Sequence, residues 1–248
     1  MKNQKKTYTT LFLAIAGTVI FILFLLFIPD MSTTLINTVP ETPPDTGIAD
    51  TNTALISSAV TIDKTNVKSI ISAMARPNEY FSETQSILSH KSGSATYTRR
   101  RWVRGSLSRV DLVSSYHSQS MHYVYTADKV YMWRSGNSTY YTAAKGEFEP
   151  DDAQMMMSYE DILTAEDENI VKAELSTYDN TPCIYAELKS PHTGYTEHYW
   201  VSATTGLLLH GETLNKDKTV IYSITTTQTD ISEQSPDNFK LPDGKIPE

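Results

Sequence analysis

Apolar residues are unevenly spread along this chain. From Leu11 to Ile28 they run almost unbroken, as LFLAIAGTVIFILFLLFI, with no charge and only Gly17 and Thr18 as mild exceptions. At about 1.5 Å of rise per residue the run spans roughly 27 Å, close to the thickness of a hydrocarbon core. Lipid offers no partners for backbone amides, so such a segment is expected to be helical. The next stretch is rich in Thr, Pro, Asp and Ser, as in Thr38-Val39-Pro40-Glu41-Thr42-Pro43-Pro44-Asp45. It has few aromatics and no sustained period, and residues 29–61 read as a flexible, extended linker. Helical spacing returns at Val67, Ile70, Ile71 and Met74, which share one face. Asp63 or Thr65 is the expected cap of that helix, and Pro77 its expected end.

Beyond Pro77 the period changes to two. Short segments rich in Tyr, Val, Ile, Thr and Trp alternate with Gly, Asn, Asp and Ser. Strands are predicted over 79–88, 95–103, 107–114, 120–126, 129–134, 138–144, 169–177, 182–189, 195–202, 206–213 and 219–228. Ile184, Ala186 and Leu188 alternate with Tyr185 and Glu187, the pattern of a strand with one buried face. Ser135-Gly136-Asn137, Asp179-Asn180 and Asn215-Lys216-Asp217 read as turns. One interruption is helical, Ser158 to Leu163, with Ser158 as N-cap and Asp161 at the third helical position. The fold class is therefore mainly β with few helices: a single N-terminal transmembrane helix, then about eleven antiparallel strands in a strongly curved or barrel-like sheet.

Charge orients the chain. Lys2, Lys5 and Lys6 precede the apolar run, and the next basic residue is Lys64. The positive-inside rule keeps residues 1–10 in the cytoplasm, makes 11–28 a signal-anchor and sends the rest across the membrane. A cleaved signal peptide has the same polarity, but this apolar run exceeds the usual signal core. Its exit, Phe27-Ile28-Pro29-Asp30, also offers no small-x-small site. The only cysteine, Cys183, excludes a lipoprotein signal and an intramolecular disulfide. The expected localisation is a single-pass cell-membrane protein with an extracytoplasmic C-terminal domain, held together by core burial.

Several motifs recur in a recognisable order. They are Trp102-Val103-Arg104-Gly105 with Arg109-Val110, the hairpin from Tyr123 to Trp133, Tyr159-Glu160-Asp161-Ile162-Leu163, and Thr181-Pro182-Cys183-Ile184-Tyr185. Tyr199-Trp200-Val201-Ser202 with Thr205-Gly206-Leu207-Leu208 follows, and Asn238 to Gly244 closes the series. Together they resemble the outer-membrane lipoprotein carrier, or LolA-like, superfamily, especially its membrane-anchored Gram-positive members. The resemblance covers about residues 62–244 and makes 62–248 the LolA-like extracytoplasmic domain. It implies an open half-barrel whose concave, apolar side is covered by short helices. Carriers of the family hold acyl chains there, and sensors of the same shape regulate envelope stress signalling. A leashed carrier cannot cross a compartment, so the anchor at 11–28 turns the expectation toward local binding or sensing.

No catalytic constellation is legible. His90, His117, His122, His192, His198 and His210 form no HExxH or zinc spacing, and no glycine-rich phosphate loop or G-x-S-x-G is present. No catalytic residue, metal ligand or cofactor is therefore predicted. The stretch around Asp151, Asp152, Asp161 and Asp167 lacks calcium-loop spacing and reads as a solvated surface. Arg99-Arg100-Arg101 beside Trp102 fits either a solvent-facing strand or contact with lipid headgroups. Beyond residue 29 there are 18 basic and 29 acidic residues, which disfavours nucleic acid. The apolar candidates for the hollow and its lid are Trp102, Tyr125, Trp133, Met155, Met156, Met157, Tyr185 and Trp200. Methionine in particular suits an adaptable apolar surface. The expected partner is a lipid or lipidated protein. The alternative is an envelope-sensing regulator docking on another membrane protein, with Tyr140-Tyr141 as an exposed patch.

Overall fold

The computed structural model describes residues 47–59, 61–90, 93–115, 119–147 and 156–248. The apolar segment 11–28, the residues before it, most of the linker and Met155 lie outside the described residues. Among those described, no helix is long and apolar enough to cross a membrane.

Eleven strands among the described residues form one curved, unclosed antiparallel sheet. They are β1 Glu79–His90, β2 Gly93–Arg104, β3 Leu107–Ser114, β4 Met121–Tyr125, β5 Lys129–Arg134 and β6 Tyr141–Ala144. After the long connection come β7 Ile170–Tyr178, β8 Thr181–Lys189, β9 Thr196–Ser202, β10 Leu208–Leu214 and β11 Val220–Asp230. Each corresponds to a predicted segment. Local turn chemistry explains why. Asp179 and Asn180 both take positive φ, which matches the right-handed twist of the two strands they join. Asn215 Oδ1 accepts from the backbone N–H groups of Asp217 and Thr219, at 2.9 and 3.0 Å, to reverse the chain between β10 and β11.

The sheet order is β6-β5-β4-β3-β2-β1-β11-β10-β9-β8-β7. Two meanders, β1–β6 and β7–β11, are thus joined through the β1–β11 pairing, leaving β6 and β7 as the edges. Residues 145–169 connect β6 to β7, and the helix Tyr159–Thr164 among them packs on one face of the sheet. That covered face holds the main core. Ile184, Ala186 and Leu188 of β8, Tyr199 and Val201 of β9 and Ile224 of β11 are buried there.

Among the described residues three short α-helices accompany the sheet: α1 Ile48–Ser58, α2 Val67–Ala73 and α3 Tyr159–Thr164. Val67, Ile70 and Ile71 of α2 and Ile162 of α3 are buried in the main core. Full burial of such a side chain contributes about 1.5–3 kcal/mol. In α3 the expected cap is present. Ser158 Oγ accepts from Glu160 N at 3.1 Å, and Asp161 Oδ2 accepts from Ser158 N at 2.7 Å.

Two expectations need correction. The α2 cap is Asn66, and neither Asp63 nor Thr65 bonds the helix N-terminus by its side chain. Asp63 Oδ1 instead holds Thr65, accepting from its N at 2.8 Å and its Oγ1 at 2.6 Å. The α2 exit lies well before Pro77. Met74 is already extended, and Arg76 donates to the terminal carbonyls of Ile71 and Met74 at 2.7 and 3.1 Å. The second correction concerns residues 48–58, read as linker but folded as α1. Asn52 is fully buried and donates to Ala75 O at 2.9 Å and Thr204 O at 2.8 Å, while accepting from Ala75 N at 2.8 Å. It locks α1 onto the exit of α2 and the β9–β10 turn. In that turn Gly206 has positive φ, and a side chain there would press on Ala75 O at 3.1 Å.

Candidate ligand-binding site

Among the described residues the covered face carries an open cleft. It opens beside α3 with a volume of about 500 Å³, within the range of small-molecule sites. One wall is Met156, Met157, Asp161 and Thr164, and the sheet supplies Leu88, Leu188, Glu197, Tyr199, Thr213 and Tyr222. Two smaller recesses adjoin it. One, of about 90 Å³, lies between Arg99, Arg101, Met157, Ser158 and Tyr159. The other, of about 30 Å³, lies between Leu88, Tyr97, Arg99, Leu112 and Met156. Met157 is shared by the cleft and the first recess, and Met156 by the cleft and the second. Two unbranched side chains therefore partition one hollow into three spaces. Gly211 makes room for one of them. A Cβ there would meet Met157 Sδ at 3.0 Å.

Carboxylates and arginines line different parts of this hollow, with Lys189 also on the carboxylate side. On the cleft side, burial pushes the Asp161 carboxyl up to about 6, against the Ser158 N–H that lowers it, and the Glu197 charge adds to the rise. Tyr199 OH donates to Glu197 Oε2 at 2.9 Å. Burial and then the neighbouring acids raise the Tyr199 phenol well above its ordinary range. On the recess side are Arg99 and Arg101. The register sets them on the covered face with Thr84, Leu112 and Val110. Burial, and then the charge of Arg101, pushes Arg99 down to about 10, which leaves it cationic at neutral pH.

The aromatic candidates distribute over both faces. Met156 and Met157 line the cleft, while Met155 lies outside the described residues. Tyr125 pairs with Ser108 and Val130 on the covered face, but on β4, and it lines none of the three spaces. Trp102, Trp133, Tyr185 and Trp200 belong to the opposite face, because each is one residue out of step with the covered positions. Trp200 packs there against Tyr185 at 5.1 Å and His210 at 5.0 Å between ring centres. Trp102 meets Phe81 at 5.1 Å, and Trp133 joins Val124 and Leu241 in a second, small core. The sequence reading did not single out Leu88, Leu188, Tyr199 or Tyr222 for the hollow. The signal for Leu188 was present in the β8 alternation, and the β8–β9 register carries it to Glu197 and Tyr199.

The opposite face holds a linear polar chain. His122 Nδ1 lies 2.8 Å from Asp111 Oδ1, and its Nε2 lies 2.7 Å from Ser135 Oγ. Arg109 grips the same carboxylate twice, at 2.8 and 2.9 Å, and donates to Asn238 O at 2.8 Å. With Trp133 stacked on His122 at 5.3 Å, the chain fastens the C-terminal segment to β3–β5. It lines none of the three spaces on the covered face. Among the described residues no group of three or more His, Cys, Asp and Glu side chains is placed to hold a metal ion. Cys183 is fully buried, and burial holds its thiol protonated, with a pKa of about 11.

No protein-family model and no curated protein matches the chain. Several solved structures are similar. An uncharacterized conserved protein from Thermus thermophilus is 7% identical, with a TM-score of 0.44 over 75% of this chain and 90% of that one. The MucA/MucB complex from Pseudomonas aeruginosa is 14% identical, with a TM-score of 0.44 over 67% of this chain; the match spans only 56% of that chain. A LolA superfamily protein from Nitrosomonas europaea is 9% identical, with a TM-score of 0.36 over 74% of this chain and 99% of that one. The likeness is distant in every case.

Proposed function

We propose that this domain is a non-catalytic binding module for an apolar ligand, a lipid or a lipidated protein, displayed outside the cell membrane by the segment 11–28. What supports the reading is the cleft of about 500 Å³ beside α3, walled by Met156, Met157, Leu88, Leu188 and Tyr222. An apolar ligand entering there gains contacts with side chains that the described residues leave uncovered. Met156 and Met157 adapt to its shape by rotation about three bonds.

The test uses the full chain purified from membranes. Native mass spectrometry is expected to find copurifying lipid or lipidated peptide, and Met156→Gln with Met157→Gln should lower its occupancy severalfold. A chain that emerges empty, and does not take up a displaceable fluorescent acyl probe, sinks the idea.

A second reading, a regulator that docks on another membrane protein, is favoured by the free edges. On β7, Val171 and Leu175 are 47% and 55% exposed, and Tyr141 on β6 is 76% exposed. Tyr140, by contrast, packs edge-on against Tyr131 at 5.7 Å. Crosslinked membranes separate the two readings. A stoichiometric protein partner that withstands the methionine exchanges but is lost with Leu175→Lys selects the regulator.

A further inference from the structure

Three consecutive arginines on β2 meet three different fates. Arg100, on the opposite face, pairs with Glu83 at 2.7 Å. Arg101 turns to the covered face, donates to Ser108 Oγ at 3.3 Å and lies 5.9 Å from the Tyr80 ring. Arg99, on the same face, has a buried Nε with no hydrogen-bond partner, and among the described residues no carboxylate pairs with it. The groups acting on its charge are Arg101 and the phenols of Tyr125, Tyr80 and Tyr222. A buried lysine or carboxyl can shed its charge, but a guanidinium cannot. Arg99 is half-buried, and its Nε is withdrawn from water without a partner, a desolvation cost that an anion would offset.

Arg99 also stands where the spaces meet. It lines both small recesses, and Arg101 lines the larger of these with Ser82, Thr84 and Thr226. The smaller recess shares Leu88, Met156 and Tyr222 with the large cleft. The acidic side chains Asp161 and Glu197 line only the cleft, where Lys189 stands as well. An anion is thus drawn to the arginine end of the hollow, whereas the cleft sets Lys189 beside Asp161 and Glu197.

We infer that the ligand is an anionic amphiphile, whose single carboxylate or phosphate is held by Arg99 and Arg101 while its apolar body lies against Leu88, Met156 and Tyr222. This rests on the apolar-ligand reading and specifies its head group. A guanidinium suits both anions, because its planar fork donates to two oxygens at once.

The test places the full chain in phosphatidylcholine nanodiscs and titrates dansylaminoundecanoic acid against its methyl ester, with empty nanodiscs as background. The acid is expected to bind at least about tenfold more tightly, as a charge-assisted pair requires. Arg99→Gln should erase the preference and keep ester binding, while Arg99→Lys and Arg100→Gln should retain it. Competition by dodecanoate and dodecyl phosphate identifies the anion, and failure of both to displace the acid counts against the inference. Equal binding of acid and ester by the wild type, or a preference surviving Arg99→Gln, overturns it. The wild-type ratio decides alone should Arg99→Gln not fold. If neither probe binds, the apolar-ligand reading falls first and this inference with it.

Discussion

Asp161 serves two ends at the scale of one residue, capping α3 and lining the cleft. Its Oδ2 accepts from Ser158 N at 2.7 Å, yet burial and the Glu197 charge push its pKa up to about 6. The folded state therefore binds this proton more tightly than the unfolded chain does. The resulting stability is complete below about pH 4, the ordinary aspartate range, and is lost as pH rises through about 6. Asp161→Asn keeps an acceptor for Ser158 and removes the charge. Chemical denaturation should find the variant near wild type at pH 4 and more stable at pH 7.5, by on the order of 2 kcal/mol. A difference that does not vary with pH would refute the assignment. Residue-level chemistry was partly legible beforehand. Ser158 and Asp161 sit at capping spacing, and the cap formed as expected. The rise in pKa was not legible, because it comes first from tertiary burial and then from the charge of Glu197, which β9 brings from far along the chain.

Strands and turns were the most legible elements. Period-two alternation and residues such as Asp179-Asn180 act within a few positions, so all eleven strands could be placed. Helix α1 escaped because its inward stripe, Ile48, Asn52, Leu55 and Ile56, has a polar residue at its centre. Asn52 there resembles a linker residue until the Ala75 and Thr204 backbones arrive to satisfy it. Asn52→Ala removes three hydrogen bonds and leaves buried backbone groups without partners. It is expected to cost roughly 2–4 kcal/mol, read as a lower denaturation midpoint, with amide exchange rising first in residues 48–58. An unchanged midpoint would mean that α1 contributes nothing to the fold.

For the folded unit as a whole, the decisive fact is the order of the strands. Pairing β1 with β11 merges two meanders into one sheet, and residues 156–169 of the β6–β7 connection pack on one face of it. That packing sets Met156, Met157 and α3 against the core of β8–β11 and beside the cleft. The other face is partly closed by the C-terminus, which Arg109 ties down through Asp111 and Asn238 O. Arg109→Met leaves the largely buried Asp111 carboxylate with His122 as its remaining partner, and the expected loss is about 3 kcal/mol. Limited proteolysis should then cut first near residues 236–248; a variant as stable and as resistant as wild type would contradict this role.

Local pattern by itself determined the β-rich class, the strand positions, most turns and the α3 cap, since each depends on neighbours within a few residues. It also set apart the apolar run 11–28, whose place relative to a membrane remains part of the proposal. Only the tertiary structure decided which face of each strand was covered. Both faces carry aromatics, so Trp102, Trp133, Tyr185 and Trp200 were as plausible for the hollow as Tyr199 and Tyr222. Register and the path of the connection broke that tie, as they did for Arg99, turned inward, and Arg100, turned out to Glu83. Side-chain identity sets what a position is able to do. Which side of the sheet it acts on depends on pairings between strands far apart in sequence, and local alternation does not encode them.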